Sequence, residues 1–156
     1  METAVEPTNS PARTDPRPGR GGREVRGPVI VLVSRVLAVL ALAVTLLQAA
    51  LAGLFVTGDV EMLDRHRLGG TVLSVLVLAQ LLTAVLLWRR NRRLRWPMAA
   101  ILAVVLLTAL VQSLGDRRLL GWHMPIGMAI CAAEAALVCW AFLLRPARHD
   151  DAGEAR

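Results

Sequence analysis

Four long apolar runs determine what this chain of 156 residues can fold into. They span residues 36–56, 68–88, 97–114 and 119–144, and each has about the length needed to cross ~30 Å of hydrocarbon. Inside lipid, a single segment satisfies its own backbone hydrogen bonds only as an α-helix. The sequence therefore predicts an all-α fold, a four-helix transmembrane bundle whose first partner is the lipid bilayer.

The ends of the chain differ in composition from these runs. Residues 1–27 are rich in proline, glycine and arginine, and such a segment has too few apolar groups to form a core. We predict a disordered basic tail there, a transmembrane domain over residues 28–146 and a short polar tail over residues 147–156. The first apolar run exceeds the ~7–15 residues of a cleaved signal peptide, so we expect it to remain as a helix.

The basic residues, all 18 of them arginine, are distributed unequally among the tails and loops. Fourteen lie in the amino-terminal segment up to Arg35, in the loop around residues 89–95 and in the carboxyl-terminal tail, and four lie in the other two loops. Because loops on the cytoplasmic side carry the excess of positive charge, both termini are predicted to be cytoplasmic, in the inner or plasma membrane of a bacterium. The same rule explains the net charge of +6 without a nucleic-acid partner.

Two histidines occupy equivalent places in the second and fourth helical segments. Each opens its segment, follows a glutamine near the end of the preceding segment and precedes a glycine by four residues. The pairs are His66 with Gly70 and His123 with Gly127. This duplication predicts two tandem helix-pair repeats, with both histidines at the outer face on helices that run in the same direction.

A pair of histidines in this position is suited to axial ligation of a heme iron. Gly70 and Gly127 lie one turn deeper in the membrane and would leave room for a flat ring. Arg67, with other arginines of the outer loops, would pair with the heme propionates. The sequence thus predicts a b-type heme with His66 and His123 as metal ligands, for electron transfer or heme handling. A homodimer or a membrane redox partner would accompany that function.

Two other functions fit the same residues. Histidines and arginines at a membrane interface contact water and headgroups, and glycines allow close helix packing; the protein would then be a non-catalytic scaffold or accessory subunit. Glu134 favours a third function, because it is the only carboxylate well inside an apolar run and ionisable groups in membranes usually serve a function. The protein would then be a small proton or solute transporter unit, with Gln80 or Gln48 as the partner of Glu134.

Over roughly residues 30–145 the chain resembles an uncharacterised family of small four-helix bacterial membrane proteins. It also resembles one four-helix half of heme A synthase, in which histidines stand at the outer ends of the second and fourth helices. The matching residues are His66 followed by Arg67, and His123 with Gln112 and Gly115 upstream. The resemblance implies a heme pocket between the second and fourth helices.

The chain also departs from heme A synthase in its outer loops. Those enzymes place a glutamate three residues before the first histidine, where this chain has Leu63, with Glu61 and Asp64 nearby. Their paired outer-loop cysteines are missing as well. The resemblance therefore supports a heme pocket rather than oxidation of a heme methyl group, and no catalytic residue is assigned.

Overall fold

The computed structural model describes residues 24–25 and 28–146, so most of the two predicted tails lies outside the described residues. Four helices make up nearly all of the described part: α1, α2, α3 and α4, which span Pro28–Val56, Met62–Arg90, Arg95–Asp116 and Leu120–Leu143. A 3-10 turn, Arg92–Leu94, separates α2 from α3. Two short strands, β1 (Glu24–Val25) and β2 (Arg145–Pro146), pair in parallel.

The four helices form a bundle in which each helix packs against two others. The neighbouring pairs are α1–α2, α2–α3, α3–α4 and α1–α4, so α2 and α4 stand diagonally across the bundle. We call the end with the α1–α2 and α3–α4 connections the histidine end. The end with the α2–α3 connection and the paired strands is the arginine end.

The lengths and surfaces of the helices confirm the predicted transmembrane bundle. All four helices are long and apolar enough to span a membrane, with 29, 29, 22 and 24 residues. Large leucine and valine side chains, for example Leu32, Val75 and Leu106, are exposed on the outside of the bundle. Small and β-branched residues such as Ala41 and Val77 fill its centre. An apolar outer surface around an apolar core is the arrangement expected for a multi-pass membrane protein.

Helices α2 and α4 both begin before their histidines. Helix α2 starts at Met62 rather than near Leu68, which places His66 in the second helical turn. Helix α4 starts at Leu120, three residues before His123, and contains Pro125. A proline in the second turn removes one hydrogen bond without preventing the first turn from forming, so both histidines lie on continuous helix.

Arg35 joins two helices at the arginine end. Its guanidinium donates hydrogen bonds to the carbonyl oxygens of Ala141, at 3.2 Å, and Leu144, at 2.7 Å, and stacks over the Phe142 ring. The last carbonyls of a helix have no partner within the helix, and a cation is favourable there. Arg35 therefore caps α4 and ties it to α1 at the arginine end.

We expect Arg35→Ala to destabilise the bundle by about 1.5–3 kcal/mol, the usual contribution of hydrogen bonds to a charged group. The loss would be measured as a lower midpoint of thermal loss of helical circular dichroism in detergent. Arg89→Ala is the control, because Arg89 is an exposed arginine near the end of α2, also at the arginine end of the bundle. Equal midpoints for the two variants would contradict the capping role.

Candidate functional site

The two histidines that the sequence paired lie side by side at the histidine end. The ring centroids of His66 and His123 are 5.9 Å apart, and the ring planes meet at 57°. They come from the diagonal helices α2 and α4, and both are partly buried. The bundle thus brings together two imidazoles separated by 57 positions in the sequence.

Each imidazole is held by a backbone carbonyl of a neighbouring helix. The Nδ1 atom of His66 lies 3.1 Å from the carbonyl oxygen of Gln48 in α1, and that of His123 lies 2.7 Å from the carbonyl oxygen of Val111 in α3. A carbonyl oxygen only accepts hydrogen bonds, so in each neutral ring Nδ1 carries the proton. The Nε2 atom of each ring keeps its lone pair, as a metal ligand requires.

Gln48 contacts His66 through both its side-chain amide and its backbone carbonyl. Its Nε2 donates to the carbonyl oxygen of His66 at 2.7 Å, while its own carbonyl accepts from the His66 ring. The Gln48 amide lies directly against Gly69, where a Cβ atom would overlap Oε1. Gly69 is therefore the glycine that admits this contact, whereas the repeated sequence pattern pointed to its neighbour Gly70.

The glycines around the pair have different surroundings. A Cβ at Gly115 would lie 3.0 Å from two atoms of the His123 ring, so Gly115 allows that ring to approach α3. A Cβ at Gly70 would meet Gln48 at an ordinary 3.5 Å. Nothing lies within 4 Å of a Cβ at Gly127. Of the two glycines predicted to border a flat ring, Gly127 faces open space and Gly70 faces the side chains of glutamines.

A second polar contact joins α2 to α3 one layer below the rings. Gln112 donates through Nε2 to the Ser74 hydroxyl at 2.6 Å, and that hydroxyl donates to the carbonyl of Gly70 at 3.1 Å. Ser74 was not singled out from the sequence. It lies eight residues after His66, or about two turns along the same face of α2, and that spacing was the available signal.

Arg67 lies outside the histidine pair. Its guanidinium is exposed and lies 3.8 Å from the carboxylate of Asp64, one turn earlier in α2. A surface pair of this kind contributes at most ~1 kcal/mol, so Arg67 can exchange Asp64 for another anion at little cost. The structure therefore places Arg67 near the site without fixing it to a ligand.

The pair can supply two ligands, and the described residues supply few others. Among them there is no group of three or more histidine, cysteine, aspartate or glutamate residues that could hold a metal ion. A metal bound there would have at most these two imidazoles as ligands of those residue types.

The fold and site together define a membrane-spanning four-helix bundle with a facing histidine pair at one end. Comparison of the chain with protein-family models, with curated proteins and with solved structures finds no match.

Proposed function

We propose that this integral membrane protein binds a b-type heme between α2 and α4, with His66 and His123 as the axial ligands. The observation that carries the proposal is the 5.9 Å separation of two rings whose Nδ1 atoms are both tied to carbonyls. Two imidazoles on one metal, at metal–nitrogen distances of about 2.0–2.1 Å, have centroids about 6.3 Å apart. The spacing of the two centroids is therefore close to that of two imidazoles that share one iron.

The surrounding residues would act on the ligands rather than on the iron directly. When bound, the heme would supply a one-electron redox centre. The carbonyls of Gln48 and Val111 orient the rings and make the imidazoles more basic, as hydrogen-bond partners of metal ligands commonly do. The open space beside Gly127 supports its assignment to the edge of the ring. Arg67 is our candidate for a propionate contact, in exchange for Asp64.

The remaining features of the proposal follow from the sequence pattern. We infer two tandem helix-pair repeats, because α1 and α3 hold the histidine of the next helix in the same manner. We infer cytoplasmic termini and an outward-facing heme in a bacterial inner membrane from the arginine distribution. The proposed role is electron transfer or heme handling with a membrane redox partner or a second copy of the chain, as the resemblance to half of a heme A synthase suggests.

A structural role is the second candidate function, and one observation favours it. Each histidine already has a backbone partner, and the hydrogen bond between Gln112 and Ser74 joins α2 to α3. These contacts can fix helix packing without any ligand. On this alternative the protein is a colourless scaffold or accessory subunit that co-purifies with another membrane protein.

The heme content of the purified protein tests the proposal. The full chain would be produced in heme-replete cells, extracted in detergent and assayed by the absorption spectrum of its reduced pyridine hemochrome. The heme proposal predicts the spectrum of protoheme at a stoichiometric amount. A heme-free protein that also fails to take up added hemin would overturn the proposal and leave the structural role.

Substitution at Gly127 distinguishes the two candidate functions. Gly127→Leu would place a side chain in the open space, and overpacking of about 1–3 kcal/mol would weaken heme binding by roughly 5- to 150-fold. The stability of the heme-free protein would stay the same, because nothing lies near the new Cβ. Affinity would be measured by hemin titration, with Gly53→Leu as a control in similarly open surroundings. Equal affinities for the two variants would count against a ring beside Gly127.

A further inference from the structure

A buried carboxyl group lies at the middle of the bundle, away from the histidine pair. Glu134 is 0% exposed and accepts a hydrogen bond through Oε2 from Nε2 of Gln80, at 3.0 Å. This confirms Gln80, rather than Gln48, as its partner. Gln80 also donates to the carbonyl of Leu37 at 3.3 Å, so one amide connects α2 with both α1 and α4.

The surroundings of this carboxyl group do not favour a negative charge. Among the described residues, the charged side chain on α1 is Arg35, which is engaged by the last carbonyls of α4. The arginines of α2 and α3 lie at the helix ends, and Glu134 is the sole charged residue of α4. An ionised carboxylate buried without a cation costs several kcal/mol, and such groups commonly take up a proton instead.

Unsatisfied atoms indicate where that proton belongs. Oε1 of Glu134 and Oε1 of Gln80 are both buried without a hydrogen-bond partner, and both are acceptors unless the carboxyl group is protonated. A proton on Oε1 of Glu134 converts one of the two acceptors into a donor. If that hydroxyl bonds to Oε1 of Gln80, neither atom lacks a partner, and each buried atom left without one costs about 1–3 kcal/mol.

A narrow cleft leads from this pair toward the arginine end. It has room for about one water molecule. Its polar lining consists of Gln80, Thr83 and Ser34. The two hydroxyls donate to carbonyls of their own helices, so their oxygen lone pairs are free to accept from water. The cleft can therefore carry a proton to or from the Gln80 amide and its partner.

The opposite direction is closed by apolar packing. Leu73, Val77 and Ile130 are at most 5% exposed and belong to one core cluster, between the level of Glu134 and the histidines. Glu134 lies eleven residues beyond His123, or about 16 Å along α4. The water-sized cleft therefore lies on the arginine side of the carboxyl group, and the apolar residues Leu94 and Leu144 pack beyond it.

We propose that Glu134 is a protonated acid at neutral pH and that its proton exchanges with water only through the cleft at the arginine end. Such a site binds and releases protons from one side of the membrane and does not conduct them across it. It is independent of the heme proposal, since it needs no ligand at the histidine pair.

Infrared spectroscopy of the full chain in detergent tests the protonation state. At about pH 8 exposed carboxyl groups are ionised, so a carbonyl band of a protonated acid is expected from Glu134 alone. The band should be lost in Glu134→Gln, which keeps the size of the side chain. A membrane-permeable carbodiimide, which attacks protonated carboxyl groups, should modify Glu134 in the unmutated chain. Absence of both the band and the modification would overturn the proposal.

Deuterium exchange of the same band tests the direction of access. We expect Thr83→Val to slow exchange at least severalfold, because it removes a hydroxyl from the cleft lining. Thr45→Val is the control, since Thr45 is buried on α1 outside the cleft and donates to its own helix. Thr108→Val tests the other direction, because the Thr108 hydroxyl is buried without a partner. Slower exchange in Thr108→Val with no change in Thr83→Val would overturn one-sided access.

Discussion

Replacing either His66 or His123 with alanine is expected to leave the purified protein without heme. Either change removes one of two axial ligands, and the described residues offer no nearby group of further ligands. Loss of a hydrogen-bond partner of a metal ligand commonly lowers metal affinity 10- to 100-fold, so we expect loss of the ligand itself to lower hemin affinity by more than about 100-fold. The reduced pyridine hemochrome of each purified variant, relative to protein, measures the loss.

The third histidine of the chain provides the matched control. His149 lies in the carboxyl-terminal tail, outside the described residues, and His149→Ala should keep the full heme content. The folded state of each variant would be checked by size-exclusion chromatography and helical circular dichroism in detergent. If the unmutated chain binds heme and both His66→Ala and His123→Ala retain all of it with an unchanged spectrum, the histidine pair is not the ligand set.

The four-helix bundle could be predicted from the sequence because lipid permits few alternatives. Apolar runs about 20 residues long must become helices when no water is available to the backbone. The starts of the helices were less predictable, because residues 64–67 are polar and interrupt the apolar pattern ahead of the run that begins at Leu68. These polar residues are nevertheless helical and extend α2 at the histidine end. Asp64 lies in the first turn of α2, where a negative charge is favourable.

The pairing of the two histidines could also be predicted, whereas their hydrogen-bond partners could not. Duplication of a pattern indicates which residues are equivalent, but the contact of His66 with Gln48 depends on how far α1 and α2 extend past each other. The choice between Gly69 and Gly70 depends on helix phase, since adjacent residues point about 100° apart. The early start of α2 and its packing against α1 turn Gly69 toward Gln48, a detail that no local pattern records.

The position of a residue along the bundle axis decides which of the two predicted glutamines can contact Glu134. Both Gln80 and Gln48 were candidates, since a membrane carboxyl group needs a hydrogen-bond donor. Gln48 lies at the level of the histidines and donates to His66, whereas Gln80 lies at the middle of α2 opposite Glu134. Counting residues from the helix ends selects Gln80 once the direction and start of each helix are known.

Two groups of polar residues in the core lie at different levels and have different partners. At the histidine end, glutamine side chains and carbonyls surround two imidazoles whose Nε2 atoms are unprotonated when the rings are neutral. At the middle, a glutamine and a carboxyl group face each other beside a water-sized cleft. An apolar layer that includes Val77 and Ile130 separates the two levels. Substitutions at the histidine pair should consequently leave the infrared band of Glu134 unchanged, and Glu134→Gln should leave the hemin affinity unchanged.

Gly69→Ala is expected to damage the histidine site through Gln48. The new methyl group would overlap Oε1 of Gln48, so the amide must shift and its hydrogen bond to the carbonyl of His66 is weakened or lost. Overpacking and the lost hydrogen bond together should destabilise the bundle by about 1–3 kcal/mol. Hemin affinity should fall about 10-fold or more, as when a partner of a ligand is removed. Thermal unfolding in detergent and hemin titration measure the two effects.

The adjacent glycine makes this prediction specific. A Cβ at Gly70 meets Gln48 at an ordinary contact distance, and a Cβ at Gly53 in α1 meets nothing within 4 Å. Gly70→Ala and Gly53→Ala should therefore keep the hemin affinity of the unmutated protein and be at least as stable, since alanine is favoured over glycine in a helix by up to about 1 kcal/mol. If Gly69→Ala were as stable as these two variants, the contact between Gln48 and Gly69 would not be what positions His66. Restoring stability in Gly69→Ala by shortening Gln48 to alanine, which removes the overlapping atoms, would identify that contact as the cause.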